Sequence, residues 1–336
     1  MAVFIKTSNV PTSTRALVGL LLAVSAIIFA LKFQQLRVAI QQGISISFGE
    51  LYVPYLQLIP RSTVYYPWVI VTSIFAEVSI LSFGFSILVL SISTRYVEKF
   101  WGWKEVVKFV LIIGFITNFI TVIFAIISNI ARNDVEGMDL PLGGGISYYF
   151  GFLVVFKQLI PEHNIVLFQG LVNVRVKHLP FALLSLVIVW SLLISRSLYP
   201  AIPSLGSFIT SYTYLRFFQS FLTDPLLPIT TANGDNSNSS LITGDASDTF
   251  QLVEFFPSIT KPYLSIVFDR IYEISVLLGL ITPFNDESVE QSNLRAQKRQ
   301  EQANQSQKSV ANSVAERRRQ VALQVIEDRI NKESTA

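Results

Sequence analysis

Six apolar segments, each about as long as a lipid bilayer requires or longer, constrain this chain more than any other feature of its sequence. A helix needs about 20 residues to cross a hydrocarbon core of about 30 Å. Only 15% of the residues are charged and 51% are hydrophobic, a balance that soluble domains rarely show. The sequence therefore predicts an all-α polytopic membrane protein with a six-span helix bundle within residues 14–221. The six segments lie at 14–32, 67–93, 104–130, 143–160, 179–197 and 201–221.

The scarce residue types exclude several kinds of chemistry. The chain has no cysteine, which excludes disulfides, thiolate metal sites and cysteine nucleophiles. It has only two histidines, His163 and His178, and no zinc-ligand spacing or glycine-rich phosphate loop. Its net charge of +3 is small, and the basic residues are spread along the chain, which argues against nucleic acid as a partner. We predict no cofactor and no metal.

The distribution of lysine and arginine predicts the orientation in the membrane. Basic residues are concentrated between the second and third segments and between the fourth and fifth, whereas the loop 131–142 is acidic. Because basic loops stay in the cytosol, we expect both termini in the cytosol, including the polar segment 1–13. Alternating apolar and polar residues within 165–178 predict a small cytosolic β-hairpin between the fourth and fifth segments.

The predicted cytosolic tail follows the last apolar segment and alternates between polar and amphipathic stretches. We interpret 222–258 as a linker, 259–281 as an amphipathic helix and 284–309 as a second, polar linker. Ser313 and Glu316 form a capping box that opens a C-terminal helix within 310–336. Residues on this helix are candidates for recruiting a cytosolic partner, namely Arg317, Arg318, Arg319, Val321 and Val325.

Ser147 raises the possibility of protease chemistry. Gly145, Ile146 and Ser147 supply three of the four positions of the Gly-x-Ser-Gly signature of rhomboid intramembrane proteases, but Tyr148 replaces the last glycine. A serine nucleophile needs a base within hydrogen-bond reach, and the sixth segment contains no histidine. Gly143, Ser147 and Gly151 recur every four residues, which is typical of closely packed membrane helices. We therefore expect Ser147 to pack helices and predict no catalytic residue.

Glu77 is the most unusual polar residue within the predicted spans. Carboxylates in the hydrocarbon region are costly, so they usually face the interior of the bundle and are candidate functional sites. The alternative is a protonated or water-bonded glutamic acid paired with Ser79, Ser82 or a neighbouring helix. We keep Glu77 as a candidate for packing or binding.

Several sequence blocks resemble known membrane protein families. The six segments, the turn containing Glu98, Lys99 and Gly102, and the Gly-x-Ser of the fourth segment resemble the rhomboid fold. A narrower resemblance is to the eukaryotic Golgi rhomboid-like family known as transmembrane protein 115. It is carried by blocks that occur in order between about 67 and 330, namely RYVEKFWG, FGFLVVFKQLIPE, VNVRVKHLP, TSYTYLRFFQ, FFPSITKP and AERRRQVALQVIEDRI.

This resemblance implies a six-span rhomboid-like pseudoprotease of the Golgi membrane, cycling with the endoplasmic reticulum. It implies a scaffold or adaptor in Golgi-to-endoplasmic-reticulum retrograde transport and assigns no enzymatic residue. The expected partners are membrane lipids, transmembrane cargo or a second copy of the chain, and cytosolic Golgi tethering or coat machinery. Two alternatives stay open: an active intramembrane serine protease and a derlin-like quality-control factor of the endoplasmic reticulum.

Overall fold

The computed structural model describes residues 10–167, 172–195, 197–221 and 242–301, and single residues beyond. Helices dominate this part of the chain, and four are long and apolar enough to cross a membrane. The expectation of an all-α membrane protein is therefore confirmed, whereas the count of six spans depends on two shorter helices. The four long helices are Thr12–Gln41, Ile80–Trp101, Trp103–Arg132 and Val176–Ser195.

The first long helix, α1 (Thr12–Gln41), continues beyond the predicted segment 14–32. Its 30 residues extend about 45 Å, so its last turns project past a hydrocarbon core of about 30 Å. An extended loop follows and contains two single-turn helices, α2 (Pro60–Thr63) and α3 (Val69–Thr72).

The second predicted segment, 67–93, is not one helix. A short helical turn (Ser73–Phe75) follows α3, the chain is then non-helical at 76–79, and α4 (Ile80–Trp101) begins only after this break. The reason is local, because Ser79 forms a capping box with Ser82. The Ser79 side chain accepts from the Ser82 N–H, and the Ser82 hydroxyl accepts from the Ser79 N–H, both at 3.2 Å. Glu77 therefore lies in a break between helices and not ten residues into a span.

A single residue, Gly102, connects α4 to the next long helix, α5 (Trp103–Arg132). Its φ of +78° is a conformation that favours glycine, and its N–H donates to the Glu98 carbonyl at 2.9 Å. The helix α5 agrees with the predicted segment 104–130 to within two residues at each end.

The remaining helices are shorter. The helix α6 (Ile146–Leu159) is followed by an antiparallel hairpin of β1 (Asn164–Leu167) and β2 (Val172–Arg175). A two-stranded hairpin therefore lies where the alternating pattern predicts one. The helix α7 (Leu179–Trp190) continues into a π-helical turn (Ser191–Ser195).

The last helix of the bundle, α8 (Ala201–Thr213), also continues into a π-helical turn (Tyr214–Phe218). Its 13 residues, like the 14 of α6, are fewer than the roughly 20 that a straight spanning helix needs.

The core of the bundle lies around α6. Ten of its 14 residues are buried, whereas α4 and α7 expose many large apolar side chains. Because helices in a lipid bilayer expose apolar side chains to lipid, α6 is the central helix and α4 and α7 lie at the periphery. The largest fully buried side chains include Phe109, Tyr148, Phe152, Phe250, Phe255 and Leu215.

The tail is more ordered than its composition suggests, and the predicted linker 222–258 is wrong where the structure describes it. The strand β3 (Ser220–Phe221) pairs with β4 (Ile242–Thr243), and the following turns bury Phe250 and Phe255 in the core. The sequence pattern missed this because Phe250 and Phe255 pack on Tyr212 and Phe208 of α8, which are distant in the chain. Residues 222–241 lie outside the described part of the chain.

The second predicted linker, 284–309, is also wrong over much of its length. Residues 286–301 form a helix, named α10 here, in which Ser292 and Arg295 are buried. The amphipathic helix predicted at 259–281 is present as α9 (Lys261–Leu277), and none of its residues is buried. The polar composition of this stretch favoured a linker. The residues that α10 contacts lie about 50 residues earlier in the chain, so no local pattern indicates that the helix packs there.

Only five residues of the predicted C-terminal helix 310–336 are described, and all five are helical: 316, 319, 320, 323 and 324. Arg319 is among them and is exposed. The other candidate recruitment residues, Arg317, Arg318, Val321 and Val325, lie outside the described residues.

Candidate functional site

Two separate chain segments converge on the glycine turn, residues 143–145, which precedes α6. Gly143 and Gly144 have φ angles of +99° and +88°, which side chains other than glycine rarely adopt. The Gly144 N–H donates to the Ser73 carbonyl at 2.9 Å, and the Tyr199 hydroxyl donates to the Gly143 carbonyl at 3.0 Å. The turn thus joins the loop after α3 to the loop before α8.

This conformation corrects the predicted face of Gly143, Ser147 and Gly151. Gly143 lies in the turn and not on the helix, so only Ser147 and Gly151 share a face of α6. Gly151 is in close contact with α8, because its N–H donates to the Ser207 hydroxyl at 3.1 Å. A Cβ atom at Gly151 would lie 2.6 Å from the Ser211 hydroxyl oxygen.

Ser147 lies in the first turn of α6 and is fully buried. Its hydroxyl donates to the Gly144 carbonyl at 3.0 Å. His163 follows the far end of α6, roughly 18 Å along the helix axis from Ser147, and His178 directly precedes α7. Neither histidine is within hydrogen-bond reach, so the hydroxyl of Ser147 has no histidine base in the described residues.

The side of α8 that faces α6 carries three serines, Ser204, Ser207 and Ser211, each fully buried. A rhomboid-type dyad requires a base at this interface, and a serine hydroxyl is too weakly basic to activate another serine. Among the residues that the structure describes, the interface between the two helices therefore has the small buried side chains of close packing and offers Ser147 no histidine base.

Glu77 connects the break before α4 to the start of α6. Its Oε1 atom accepts from the Gly145 N–H at 2.7 Å and also from the Ser86 hydroxyl. The Ser86 hydroxyl shares a further hydrogen bond with the Tyr149 hydroxyl. A carboxylate at a helix N-terminus is stabilised by the unpaired N–H groups there and by the helix dipole. The expected partners Ser79 and Ser82 form their own cap instead, and no local spacing indicates Ser86 or Gly145.

A second polar cluster lies at the opposite end of α6 and is named the tail junction: Gln158, Arg216, Asp245 and Arg299. The Asp245 Oδ2 atom accepts from Gln158 Nε2 and from an Arg299 Nη atom, each at 2.9 Å. Arg216 Nη1 donates to the Asp245 carbonyl at 2.6 Å. The tail junction thus joins α6, the end of α8 and α10.

The electrostatics of the tail junction favour an ionised Asp245. Burial alone would raise the pKa of this carboxyl group, because a charged group loses its hydration. The Arg299 guanidinium and the hydrogen bonds from Ser247 and Gln158 outweigh burial and lower the pKa of Asp245 to about 2. The sequence missed this site because its members come from four elements and are far apart in the chain.

Neither cluster has the composition of a metal site. Within the described ranges, no group of three or more histidine, cysteine, aspartate or glutamate side chains could hold an ion. Both clusters join separate segments of the chain through hydrogen bonds. Glu77 joins the break before α4 to the start of α6, and Asp245 joins the tail helix α10 to the end of α6. Their hydrogen-bond partners are mostly backbone groups and neutral side chains, with Arg216 and Arg299 as the exceptions.

Comparison with known proteins identifies relatives over nearly the whole chain. Residues 15–332 match a family of eukaryotic integral membrane proteins, DUF1751. The chain is 29% identical to the transmembrane protein 115 homolog of Saccharomyces cerevisiae, over 97% of this chain and 95% of the yeast protein.

More distant relatives match over shorter regions. The rhomboid-like protein 19 of Arabidopsis thaliana is 29% identical over 65% of this chain and 66% of its own length. The transmembrane protein 115 of Homo sapiens is 23% identical over 62% of this chain and 54% of its own length. No solved structure matches the chain.

Proposed function

The chain belongs to the DUF1751, or transmembrane protein 115, family of rhomboid-like integral membrane proteins, and from this membership we propose that it is a non-catalytic scaffold in Golgi-to-endoplasmic-reticulum retrograde transport. The proposal has two parts, the absence of protease activity and the trafficking role. The first is supported by the geometry around Ser147, and the second by the relationship to the family.

One observation carries the non-catalytic part of the proposal. Ser147 is buried, its hydroxyl donates to the Gly144 carbonyl, and the facing side of α8 presents serines where a base is required. A nucleophile must lose its proton to a base and must reach a substrate carbonyl. The hydroxyl of Ser147 does neither in this arrangement, so its role is to allow close approach of α6 to its neighbours.

The positions of the helix ends support six membrane crossings. At one end, Glu105 accepts a hydrogen bond from the Tyr214 hydroxyl at 2.6 Å, which brings the start of α5 to the end of α8. At the other end, the Tyr199 hydroxyl reaches the Gly143 carbonyl, which brings together the loops that precede α6 and α8. Each short helix therefore runs from one end of the bundle to the other, as the long helices do. We count α6 and α8 as membrane crossings for this reason.

Charge distribution supports the orientation. The end of the bundle that contains the start of α1 also carries the basic residues Arg95, Lys99 and Lys104 between α4 and α5. The opposite end carries the acidic loop with Asp134, Glu136 and Asp139. The positive-inside rule places the first end, the hairpin and the tail in the cytosol.

The exposed faces suggest how a scaffold of this kind would bind. The outer helices α4 and α7 present apolar side chains to lipid, where a transmembrane cargo segment or a second copy of the chain could pack. The helix α9 exposes an apolar row that includes Tyr263, Ile266 and Leu277, so we place it on the membrane surface. The C-terminal helix that the sequence predicts, which would carry Arg317–Arg319, is then the proposed binding element for coat or tethering machinery.

Two experiments test the proposal, one on the purified protein and one on cells that lack the endogenous protein. A fluorophosphonate probe should fail to label the purified full-length protein, and Ser147→Ala should restore retrograde transport as well as the natural chain does. Labelling of Ser147 would overturn the non-catalytic assignment and favour the protease alternative. Normal retrograde transport without the protein would overturn the trafficking role, and residence only in the endoplasmic reticulum would favour the derlin-like alternative.

A further inference from the structure

A cleft of about 460 Å³ opens on the side of the bundle between α1 and the start of α4. It is named the lateral cleft here, and its volume is within the range of small-molecule sites. Its walls are mostly apolar and include Leu22, Phe29 and Phe83, whereas Lys32 and Glu77 lie among its lining residues. It is distinct from the interface of Ser147 with α8.

Lys32, the cation among the residues that line the lateral cleft, lies at the depth of lipid headgroups. Lys32 is 20 residues beyond Thr12, or about 30 Å along α1, which is the thickness of a hydrocarbon core. Leu22 lies ten residues before Lys32, about 15 Å deeper, which corresponds to the depth of one leaflet. The cleft therefore has the length and polarity profile of a single lipid leaflet.

Lys32 lacks an ion-pair partner within the described part of the chain, although it is only 5% exposed. Its recorded contact is with the Phe48 ring, whose centroid lies 5.6 Å from the Nζ atom. Buried cations are normally paired, because burial removes their hydration. Ser25, another lining residue, has a buried hydroxyl oxygen without a hydrogen-bond partner. The Lys32 ammonium could hydrogen-bond to an anionic oxygen of a ligand headgroup, whereas Ser25 lies about 10 Å deeper along α1.

Glu77 supplies the opposite charge. Its Oε1 atom accepts hydrogen bonds from Gly145 and Ser86. Its Oε2 atom lies beside Gly144, and the side chain as a whole is among the residues that line the cleft. A lysine and a carboxylate that line one cleft without forming an ion pair match a ligand that carries both charges.

We propose that the lateral cleft binds one aminophospholipid, with its phosphate at Lys32, its ammonium at Glu77 and an acyl chain along Leu22 and Phe29. The primary ammonium of such a headgroup donates three hydrogen bonds, which a choline headgroup cannot do. The proposal is independent of the trafficking role, because it concerns only the geometry between α1 and α4.

Native mass spectrometry of the full-length protein, with added phosphatidylethanolamine, phosphatidylcholine or phosphatidylglycerol, tests the proposal. The natural chain should bind one phosphatidylethanolamine in preference to the other two lipids. Lys32→Met should weaken this binding about tenfold or more, because a charge-assisted hydrogen bond to phosphate is lost. Arg37→Met is the matched control, since it removes an exposed cation of the same helix outside the cleft lining and should leave binding unchanged.

Two further variants separate a headgroup effect from damage to the fold. Glu77→Gln keeps an oxygen for Gly145 and Ser86 but removes the charge, so it should abolish the preference for phosphatidylethanolamine over phosphatidylglycerol. Ala26→Trp fills the apolar part of the cleft while both charges stay, and should abolish binding of all three lipids. Equal binding of all lipids, binding unaffected by Lys32→Met, or recovery of a bound polypeptide instead of lipid would each overturn the proposal.

Discussion

The carboxylate of Glu98 accepts hydrogen bonds from the backbone N–H of Ser13, at 3.0 Å, and from the Ser13 hydroxyl, although 85 positions separate the two residues. It also accepts from the Thr12 N–H at 3.1 Å. The first N–H groups of α1 have no partner within their own helix, so a side chain at the end of α4 caps it. Thr14 and Thr94 extend this contact with a hydrogen bond of 2.8 Å between their hydroxyls.

We expect Glu98→Ala to lower the free energy of unfolding by about 1 kcal/mol, because removal of a helix cap typically has this cost. Thermal unfolding in detergent, followed by tryptophan fluorescence, measures the effect. Lys99→Ala, a change at the neighbouring residue, is the control and should leave the melting temperature unchanged. Equal stability of the two variants would show that water satisfies the first N–H groups of α1 equally well when Glu98 is absent.

Contact between α6 and α8 is expected to limit the size of the residue at position 151. Gly151→Val should destabilise the bundle by about 1–3 kcal/mol, because its Cβ atom would lie 2.6 Å from the Ser211 hydroxyl oxygen and its two methyl groups would crowd the Phe109 and Ile113 side chains, which lie 3.4 and 3.5 Å from that Cβ. Gly206→Ala in α8 is the matched control, since a Cβ atom there meets Thr117 at an ordinary 3.7 Å. Thermal unfolding of both variants tests the difference, and a stable Gly151→Val variant would contradict it.

The tail junction should make stability depend on pH in the acid range. The pKa of Asp245 falls from 3.8 to about 2 on folding, so the folded state favours its ionised form. This contribution, about 2 kcal/mol, is complete above about pH 4 and is lost as the pH falls from about 4 towards 2. The protection of residues 286–301 against hydrogen exchange, measured relative to the intrinsic exchange rate at each pH, should therefore fall over this range in the natural chain.

Asp245→Asn isolates that contribution. At neutral pH the variant should increase exchange in α10 strongly, because removal of one partner of a buried ion pair costs about 3 kcal/mol. The difference between the natural chain and the variant should shrink as the pH falls from about 4 to about 2. Glu301→Gln, at an exposed position of the same helix, is the control and should exchange like the natural chain. A constant difference across the range would show that Asp245 does not titrate there.

Two truncations are expected to behave differently. A chain that ends at Gln307 keeps α10 and its contacts, so it should be expressed normally and reach the Golgi but lose trafficking function. A chain that ends at Asn285 lacks Arg299 and leaves Asp245 buried without its cation, so it should be degraded. The amount of each truncated protein in membrane fractions, measured by immunoblotting, tests this difference. If the longer truncation is also degraded, the C-terminal helix belongs to the fold and does not act as a separate recruitment element.

An introduced glycosylation site tests the proposed orientation. Gly43→Asn creates an Asn-Ile-Ser acceptor sequence at positions 43–45, just after α1, where there is open space and a φ of +72°. Asparagine tolerates this conformation better than most residues. We expect this variant to acquire a glycan that an endoglycosidase removes, whereas the natural sites at Asn238 and Asn304 should stay unmodified. Modification of the natural sites alone would reverse the orientation.

The sequence predicts the long helices well because their apolar runs are long and end at polar residues. The helix α5 follows its predicted segment closely. The helix α1 is longer than its predicted segment, because it continues through Lys32 and Arg37, where the apolar run has already ended. The run 67–93 was misleading because its hydrophobicity does not reveal the cap at Ser79. A local capping signal competes with apolar length there, and the capping signal determines where the helix begins.

The candidate sites were predictable only in part. The pattern of small residues drew attention to Ser147 and Gly151, but the backbone of Gly143 depends on contacts with Ser73 and Tyr199. Glu77 was conspicuous as a carboxylate among apolar residues, whereas its partner Gly145 is 68 positions away. Such pairs arise from the fold as a whole, and no local spacing in one sequence indicates them.

The single-residue connection at Gly102 has a consequence for biosynthesis. Two helices of 22 and 30 residues meet there, and the connection has no spare length to extend into the aqueous phase. The joined ends of α4 and α5 must therefore stay at the same membrane surface, and the two helices cross the lipid as one antiparallel hairpin. An affinity tag or protease site placed between Trp101 and Trp103 would therefore disturb insertion itself, before any mature contact has formed.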